Sequence, residues 1–482
     1  MLVRDKPQIS AQSLRLQRIF ALRAIGYNAR VAATITFYGG TGAVTGANFL
    51  LDTGDKKILV DCGAFEREHV CDPGNTAPFA YDPASIDALV VTHAHQDHIG
   101  RIPRLVRHGF RGSIYSTAAT KDLSAVMLRD ALSLMTSGAT HAHCESLYDE
   151  HDLEQALQQW TGRGYHEPFS LGTMATEFLN AGHVLGSATI RFSRGGRSIL
   201  FTGDLGNAPE PLLNDAENPA GANYMVIESV YGDRVHEQRA ERAEALRAAI
   251  EATRERGGTL LIPSFSLERT QILLYELNAM MEEGRMQPIS VYLDAPLATR
   301  VTDVFRQYLD SMNAAVRGRA ERGDDPFSFP GLTVIEGPVQ SQAIHEMPGA
   351  KVIIAGAGMS VGGRIRGHEK RYLPDKTASV LFVGYQAPGS LGRRIQDGAR
   401  SVDIDGERVA IRAQIDTLTG YSGHADRDQL VAFVEAAGAS LSRVFVTMGE
   451  PKASSFLSQR LRDFLGVEVV VPEPGQSFTI DV

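Results

Sequence analysis

Cysteine is scarce in this chain of 482 residues, and Cys62, Cys71 and Cys144 are the only three. None stands at the spacing of a zinc-binding pair and three thiols give no disulfide framework, so a reducing, cytoplasmic compartment is the expectation. Long apolar runs are also missing, and none approaches the ~20 residues that a membrane-spanning helix needs. A surplus of basic charge is missing too: 48 Lys and Arg stand against 57 Asp and Glu, a net charge of -9. That balance argues against coating nucleic acid through bulk charge, yet it leaves room for a local basic groove, because phosphate contacts need only a few well-placed cations. The glycine-rich stretch Gly39 to Asn48 lacks the Lys-Ser/Thr of a phosphate-binding loop and leads into a strand pattern, Phe49 to Asp52, instead of a helix, which argues against nucleotide binding. What remains is ordinary globular composition, 43% hydrophobic and 22% charged, in a chain long enough for two domains.

The richest stretch is Thr92-His93-Ala94-His95-Gln96-Asp97-His98-Ile99-Gly100. It follows the apolar run Ile86 to Val91, which reads as a buried strand. Three imidazoles and a carboxylate at a strand end supply the nitrogen and oxygen donors of a divalent metal site, and His with Asp suits zinc. With only 14 His in the chain, a surface turn that gathers three of them by accident is the weaker reading.

This string resembles the metal-binding signature of the metallo-β-lactamase superfamily, and the rest of that signature follows in order. Asp61, at the end of the strand pattern Lys57 to Val60, matches an aspartate that holds a ligand imidazole. His183, in Asn180-Ala181-Gly182-His183, matches the next ligand, and Asp204, in Thr202-Gly203-Asp204, matches a carboxylate bridging two metals. Alone, a strand-end Asp is more often a turn or cap residue. Further on, Glu228-Ser229-Val230-Tyr231-Gly232-Asp233-Arg234 with nearby His236 looks like the first motif of the β-CASP branch, whose members act on nucleic acids. Gly420-Tyr421-Ser422-Gly423-His424-Ala425-Asp426 matches its second motif, in which the histidine faces the metals. Val444 to Glu450 matches the third, except that Met448 stands where nucleases of the family usually place a histidine ligand. A thioether is a soft, neutral donor poorly suited to zinc among carboxylates and imidazoles, and Met more often fills gaps between packed elements.

The resemblance implies an α/β fold, a metallo-β-lactamase αββα sandwich with an inserted β-CASP α/β domain. It divides the chain into an amino-terminal extension (1–31), the first part of the sandwich (32–230), the insert (231–408) and the second part of the sandwich (409–482). Between 231 and 408 strand and helix patterns alternate, from Thr259 to Pro263 through Val380 to Val383, as a mostly parallel sheet requires. Glycines around Gly356 to Gly363, with Arg364 and Arg393, read equally well as a phosphate cradle or as tight turns with ion-paired arginines. Ser10 to Ala24 reads as a basic amphipathic helix, for which an ordinary packed amino-terminal segment is preferred to a targeting role. The region from Ala119 to Trp160 reads as helical, and His141, His143, Cys144 and His151 there fit a polar face better than a metal cluster, since no matching ligands complete it.

By the same resemblance, His93, His95 and His183 hold one metal and Asp97 and His98 the other, with Asp204 bridging. Asp97, His424 and Glu228 are the candidate catalytic residues, and Asp61 orients a ligand. Two divalent cations, read as Zn2+ with the second site weakened at Met448, imply phosphodiester hydrolysis through a metal-bridged hydroxide. His424, oriented by Glu228, donates a proton to the leaving oxygen. The implied function is a zinc-dependent ribonuclease acting on single-stranded RNA without a membrane partner. A DNA-processing nuclease, a silent RNA-binding scaffold and a homodimer stand as alternatives to be weighed.

Overall fold

The computed structural model describes residues 32–65, 72–136, 146–236, 239–387 and 389–482. The expected amphipathic helix at Ser10 to Ala24, with Cys71, His141, His143 and Cys144, lies outside them.

Two seven-stranded sheets face one another. The first runs in the order Ser477–Asp481, Ala32–Phe37, Phe49–Asp52, Lys57–Val60, Ala88–Val90, Ser113–Thr117 and Trp160–Arg163. The second runs Glu468–Val470, Arg443–Val446, Tyr224–Ile227, Arg197–Phe201, Ala188–Arg194, Met174–Asn180 and Phe169–Leu171. In each, hairpin-linked antiparallel strands give way to parallel ones. Alternation assigns the faces. Ile58 and Val60 join Ile190, Phe201 and Phe445 in the core between the sheets, whereas Leu59 points outward to Ile102, Leu105 and Leu128. Leu200, Met225 and Val444 likewise point outward to Leu430, Leu457 and Leu461, on the helices Arg427–Ala436 and Pro451–Leu465. Four layers result, helix, sheet, sheet, helix, so this part of the chain has the expected αββα architecture.

The region expected to be helical up to Trp160 resolves into two helices, Ala118–Thr136 and Glu150–Gln158, after which Trp160 opens an edge strand. His151 is exposed on the second of them.

The insert has a six-stranded, wholly parallel sheet in the order Leu332–Val334, Ser290–Asp294, Lys351–Ala355, Thr259–Pro263, Ser379–Phe382 and Gln414–Thr417. Its strands read as continuous apolar runs because helices cover both faces: Leu260 and Ile262 face Leu273 and Leu277, and Leu261 faces Ile365 and Leu373. The last strand comes from beyond residue 408, where the chain was expected to re-enter the sandwich. The apolar cluster on one face continues without a break into the metal-site side of the sandwich through Ala94, Val184, Leu185 and Leu212. A continuous apolar contact of this kind restrains relative motion of the two parts.

Candidate metal centre

Every candidate ligand stands shortly after the end of a strand. Ala88–Val90 delivers His93, His95, Asp97 and His98, the last two on the short helix Gln96–Ile99. Met174–Asn180 delivers His183, Arg197–Phe201 delivers Asp204, and Tyr224–Ile227 delivers Glu228. The segment carrying His424 is laid against the Asp204 loop by paired backbone: the Ala425 N–H donates to the Leu205 carbonyl at 2.7 Å and the Asn207 N–H to the Gly423 carbonyl at 3.1 Å. Gly206 lets the Asp204 loop lie against the His183 loop, since a Cβ there would collide with the Gly182 carbonyl.

His93 Nε2 lies 3.1 Å from His95 Nδ1 and 3.4 Å from Asp204 Oδ2. His183 Nε2 lies 3.2 Å from His95 Nδ1 and 3.6 Å from Asp204 Oδ2. The other oxygen, Asp204 Oδ1, lies 3.4 Å from His98 Nε2, which is 3.8 Å from Asp97 Oδ2. Asp204 therefore presents one oxygen to each of two clusters, His93/His95/His183 and Asp97/His98.

Hydrogen bonds behind the rings fix which nitrogens face inward. His183 Nδ1 is 2.9 Å from the Gly423 carbonyl, which can only accept, so Nδ1 carries the proton and Nε2 is bare. His98 Nδ1 donates to Asp61 Oδ2 at 2.7 Å, which turns its Nε2 towards Asp204. The Thr92 hydroxyl donates to Asp61 at 2.8 Å and can accept from His93 Nδ1 at 3.1 Å. Asp61 is itself fastened by the Thr92 N–H at 2.8 Å. Lone pairs thus converge where hydrogen bonds cannot satisfy them all, and His98 Nε2 and Asp204 Oδ1 are buried with no hydrogen-bond partner. A tetrahedral zinc with bonds of about 2.0–2.1 Å spaces its ligand atoms by roughly 3.3 Å, which the 3.1–3.6 Å separations among His93, His95, His183 and Asp204 Oδ2 bracket. The donor set fits divalent cations, and the fold implies them.

The electrostatics agree. Burial, then the neighbouring charge of His93, drives His95 well below the usual imidazole range, and burial with His424 does the same to His183, so both are neutral donors. Burial opposes the Asp204 carboxylate, but His98 and His93 outweigh it and hold the group well below the usual range. Burial alone would depress His98, yet Asp204, Asp61 and Asp97 lift it well above. Such a concentration of negative charge is what a cation offsets.

His424 stands at the open side, its side chain about a quarter exposed at 24%, with Nδ1 3.3 Å from Glu228 and 3.8 Å from Asp204 Oδ2. Burial would push it down, but the Glu228 carboxylate overcomes this and raises it to about 9, so the ring is charged at neutral pH. Glu228 is fixed by the Leu205 N–H at 2.7 Å.

Met448 occupies the third-motif position, buried in the core between the sheets beside Phe49 and Phe445. Its backbone is left-handed (φ 46°), as are those of Asp61 (φ 58°) and Glu268 (φ 68°), three strained positions ringing one site. A cavity of about 10 Å³ lies between Met448 and His98, lined also by Asp61, Thr92 and Thr202. Of the two arginines read as phosphate candidates, Arg364 is tied to Asp294 and to the Ile335 and Glu336 carbonyls, and Arg393 pairs with Asp397 at 2.9 Å.

Sequence reasoning did not single out the clamp on the His424 segment. Arg242 donates to the Gly420 carbonyl at 2.8 Å and to Glu276 at 2.6 Å, with its guanidinium 4.3 Å from the centre of the Tyr421 ring. The fully buried Tyr421 donates to Glu276. Tyr421 was in view within its motif, but Arg242 and Glu276 are polar helix positions that nothing local distinguishes from a solvated face.

Residues 41–262 match the metallo-β-lactamase superfamily, 270–395 the Beta-Casp domain and 408–472 the Zn-dependent metallo-hydrolase RNA specificity domain. Ribonuclease TTHA0252 of Thermus thermophilus is 36% identical over 443 residues, 92% of this chain and 99% of that protein. Transcription termination factor FttA of Methanosarcina mazei is 31% identical over 452 residues, 90% of this chain and 69% of FttA. FttA of Methanocaldococcus jannaschii is 30% identical over 458 residues, 91% and 70% of the two chains. A crystal structure of a protein of unknown function from Enterococcus faecalis aligns over 93% of this chain and 100% of its own, with a TM-score of 0.54 at 14% identity, a likeness of fold alone.

Proposed function

Because this chain belongs to the metallo-β-lactamase superfamily, in the group that carries a Beta-Casp domain, we propose that it is a zinc-dependent ribonuclease of the cytoplasm that hydrolyses single-stranded RNA. The observation that carries the reading is Asp204, whose two oxygens face two separate groups of imidazole nitrogens at 3.4–3.6 Å, with Asp97 beside the second group. The match of 408–472 to an RNA specificity domain, and relatives named as a ribonuclease and a transcription termination factor, favour RNA over DNA. In this reading the sandwich resumes after Thr417, where the insert sheet ends.

His93, His95 and His183 would hold one cation, Asp97 and His98 the other, and Asp204 would serve both. Two divalent cations supply activation of water at neutral pH and neutralisation of the phosphoryl oxygens. As water oxygen bonds to phosphorus and the bond to the leaving oxygen breaks, the charged His424 ring gives its proton to that oxygen, and Glu228 steadies the ring before and after. Asp61 keeps His98 in the tautomer whose Nε2 is bare. With Met448 in place of a histidine, Asp97, His98 and one Asp204 oxygen are the residues that would hold the second cation, a weaker set than the first.

The test is incubation of the purified protein with end-labelled single-stranded RNA and DNA, with and without chelator, beside His95→Ala and His424→Ala. Cleavage of RNA that chelator and both substitutions abolish is the expected result. Tight RNA binding without turnover would point to a silent scaffold, and preferential cleavage of DNA to the DNA-processing alternative.

A further inference from the structure

The turn that follows the insert strand Thr259–Pro263 carries a side chain that the chemistry above does not use. Phe265 is 36% exposed, and an exposed aromatic is by itself ordinary. Its seat is not. A Cβ at Gly358 would stand 2.6 Å from the Phe265 ring and one at Gly384 would stand 2.9 Å from it, so one edge of the ring rests against the backbone of two glycines. These glycines follow the ends of Lys351–Ala355 and Ser379–Phe382, the two strands that flank Thr259–Pro263. Three neighbouring strand ends thus build one seat at the carboxyl edge of a parallel sheet, where open α/β sheets take their ligands.

The next residue, Tyr385, is 43% exposed, and its hydroxyl lies 3.5 Å from Glu450 in the sandwich, two residues beyond Met448. The Phe265 turn also reaches the metal centre directly, because Glu268 accepts the Leu185 N–H at 3.2 Å, two residues beyond His183. Arg269, next along the same turn, comes within 3.8 Å of a Cβ placed at Gly423, a position that itself adjoins the His183 ring, so the Phe265 turn lies on the side of the insert that faces the centre. Around this lip Arg234, itself half exposed, pairs with the largely buried Asp233 and stands over the Tyr231 ring, and Arg393 pairs with the exposed Asp397, a surface pair worth little, so both cations face solvent where a strand can run.

We propose that Phe265, seated on Gly358 and Gly384 with Tyr385 alongside, is a stacking platform for one base of the single-stranded RNA, next to the linkage that is cut. The proposal rests on the ribonuclease reading. Every base offers a π-face, so such a platform grips the strand without reading its sequence, while the cations at the lip follow the backbone.

The experiment measures RNA affinity by fluorescence anisotropy in chelator and KM and kcat in zinc, for wild type, Phe265→Leu and Phe265→Trp, on an oligoribonucleotide and on a series with one abasic residue moved along it. Leucine keeps apolar cover over the glycines and removes the stacking face, so it separates stacking from packing. Phe265→Leu should weaken binding and raise KM by roughly 5- to 150-fold, with kcat and metal content unchanged and Phe265→Trp close to wild type. In wild type one abasic position should cost a similar factor, and in Phe265→Leu that position should cost nothing further. Equal abasic losses in both proteins at every position, or unchanged KM in Phe265→Leu, would overturn the platform while leaving the ribonuclease reading intact. A wild type that neither binds nor cuts RNA would overturn both.

Discussion

Replacing Met448 by histidine should strengthen the second cation site, and the sign of its effect on stability should depend on whether metal is present. The second cluster has Asp97, His98 and one oxygen of Asp204, one donor fewer than the first. Even partners one shell removed from a metal change affinity by about 10–100-fold, so a new direct ligand should bring at least that. The backbone at 448 is left-handed (φ 46°), a conformation in which histidine is enriched and methionine is not, and the roughly 10 Å³ void beside His98 gives the ring room to turn. Without metal, a polar ring replaces a thioether that is only 2% exposed, and an unpaired imidazole there should cost about 1–3 kcal/mol. With zinc at saturation, a 10–100-fold gain in affinity returns about 1.4–2.7 kcal/mol. Met448→His should therefore unfold at lower denaturant than wild type in chelator and recover in zinc, while zinc titration followed by elemental analysis shows the second equivalent binding at lower free metal. Wild type already holding two equivalents at equal affinity, or no change in the second equivalent in the variant, would refute this account of Met448.

Asp61→Asn should lower metal affinity about 10–100-fold in a competition assay with a chromogenic chelator, since the His98 Nδ1–H and two Thr92 donors lose their carboxylate. Tyr421→Phe should lower kcat on RNA about tenfold with metal content and KM unchanged, and cost about 1–3 kcal/mol in urea unfolding, because Glu276 loses a buried donor. Glu369, buried and hydrogen-bonded to Ser360, is raised by burial to about 8, against about 4.3 in an unfolded chain. Between those values the native state keeps a proton that the unfolded state releases, so this group's contribution is full below pH ~4 and declines as pH rises towards 8, by about 1.4 kcal/mol per unit. Urea midpoints measured from pH 5.5 to 8 should fall less steeply in Glu369→Gln, and parallel profiles would count against the assignment.

The string His93 to His98 was legible because its donors are packed into six residues after an apolar run, where local chemistry suffices. His183, Asp204 and His424 were legible only through likeness to a family, since each is a single polar residue after a strand and its meaning lies in contacts far along the chain. The insert showed itself through apolar runs at Thr259–Pro263 and Lys351–Ala355, buried on both faces. Its last strand did not, and the reason is physical: Gln414–Thr417 lies at the sheet edge with no fully buried residue, so no apolar run marks it. Glu268 escaped for a different cause, because a carboxylate beside Arg269 on a turn reads as solvated until the fold carries it to the His183 loop.

The order in which the parts leave the ribosome sets when the protein can act. A nascent chain possesses all its candidate metal donors once Asp204 has emerged, yet the partner of Glu228 lies 196 residues further on at His424. The sheet beside Glu228 also waits for Arg443–Val446 to lie along Tyr224–Ile227, and the first strand for Ser477–Asp481. Contacts of such long sequence separation form late and slowly. On the reading proposed above, a product terminated before His424 would carry the metal donors without the residue that protonates the leaving oxygen.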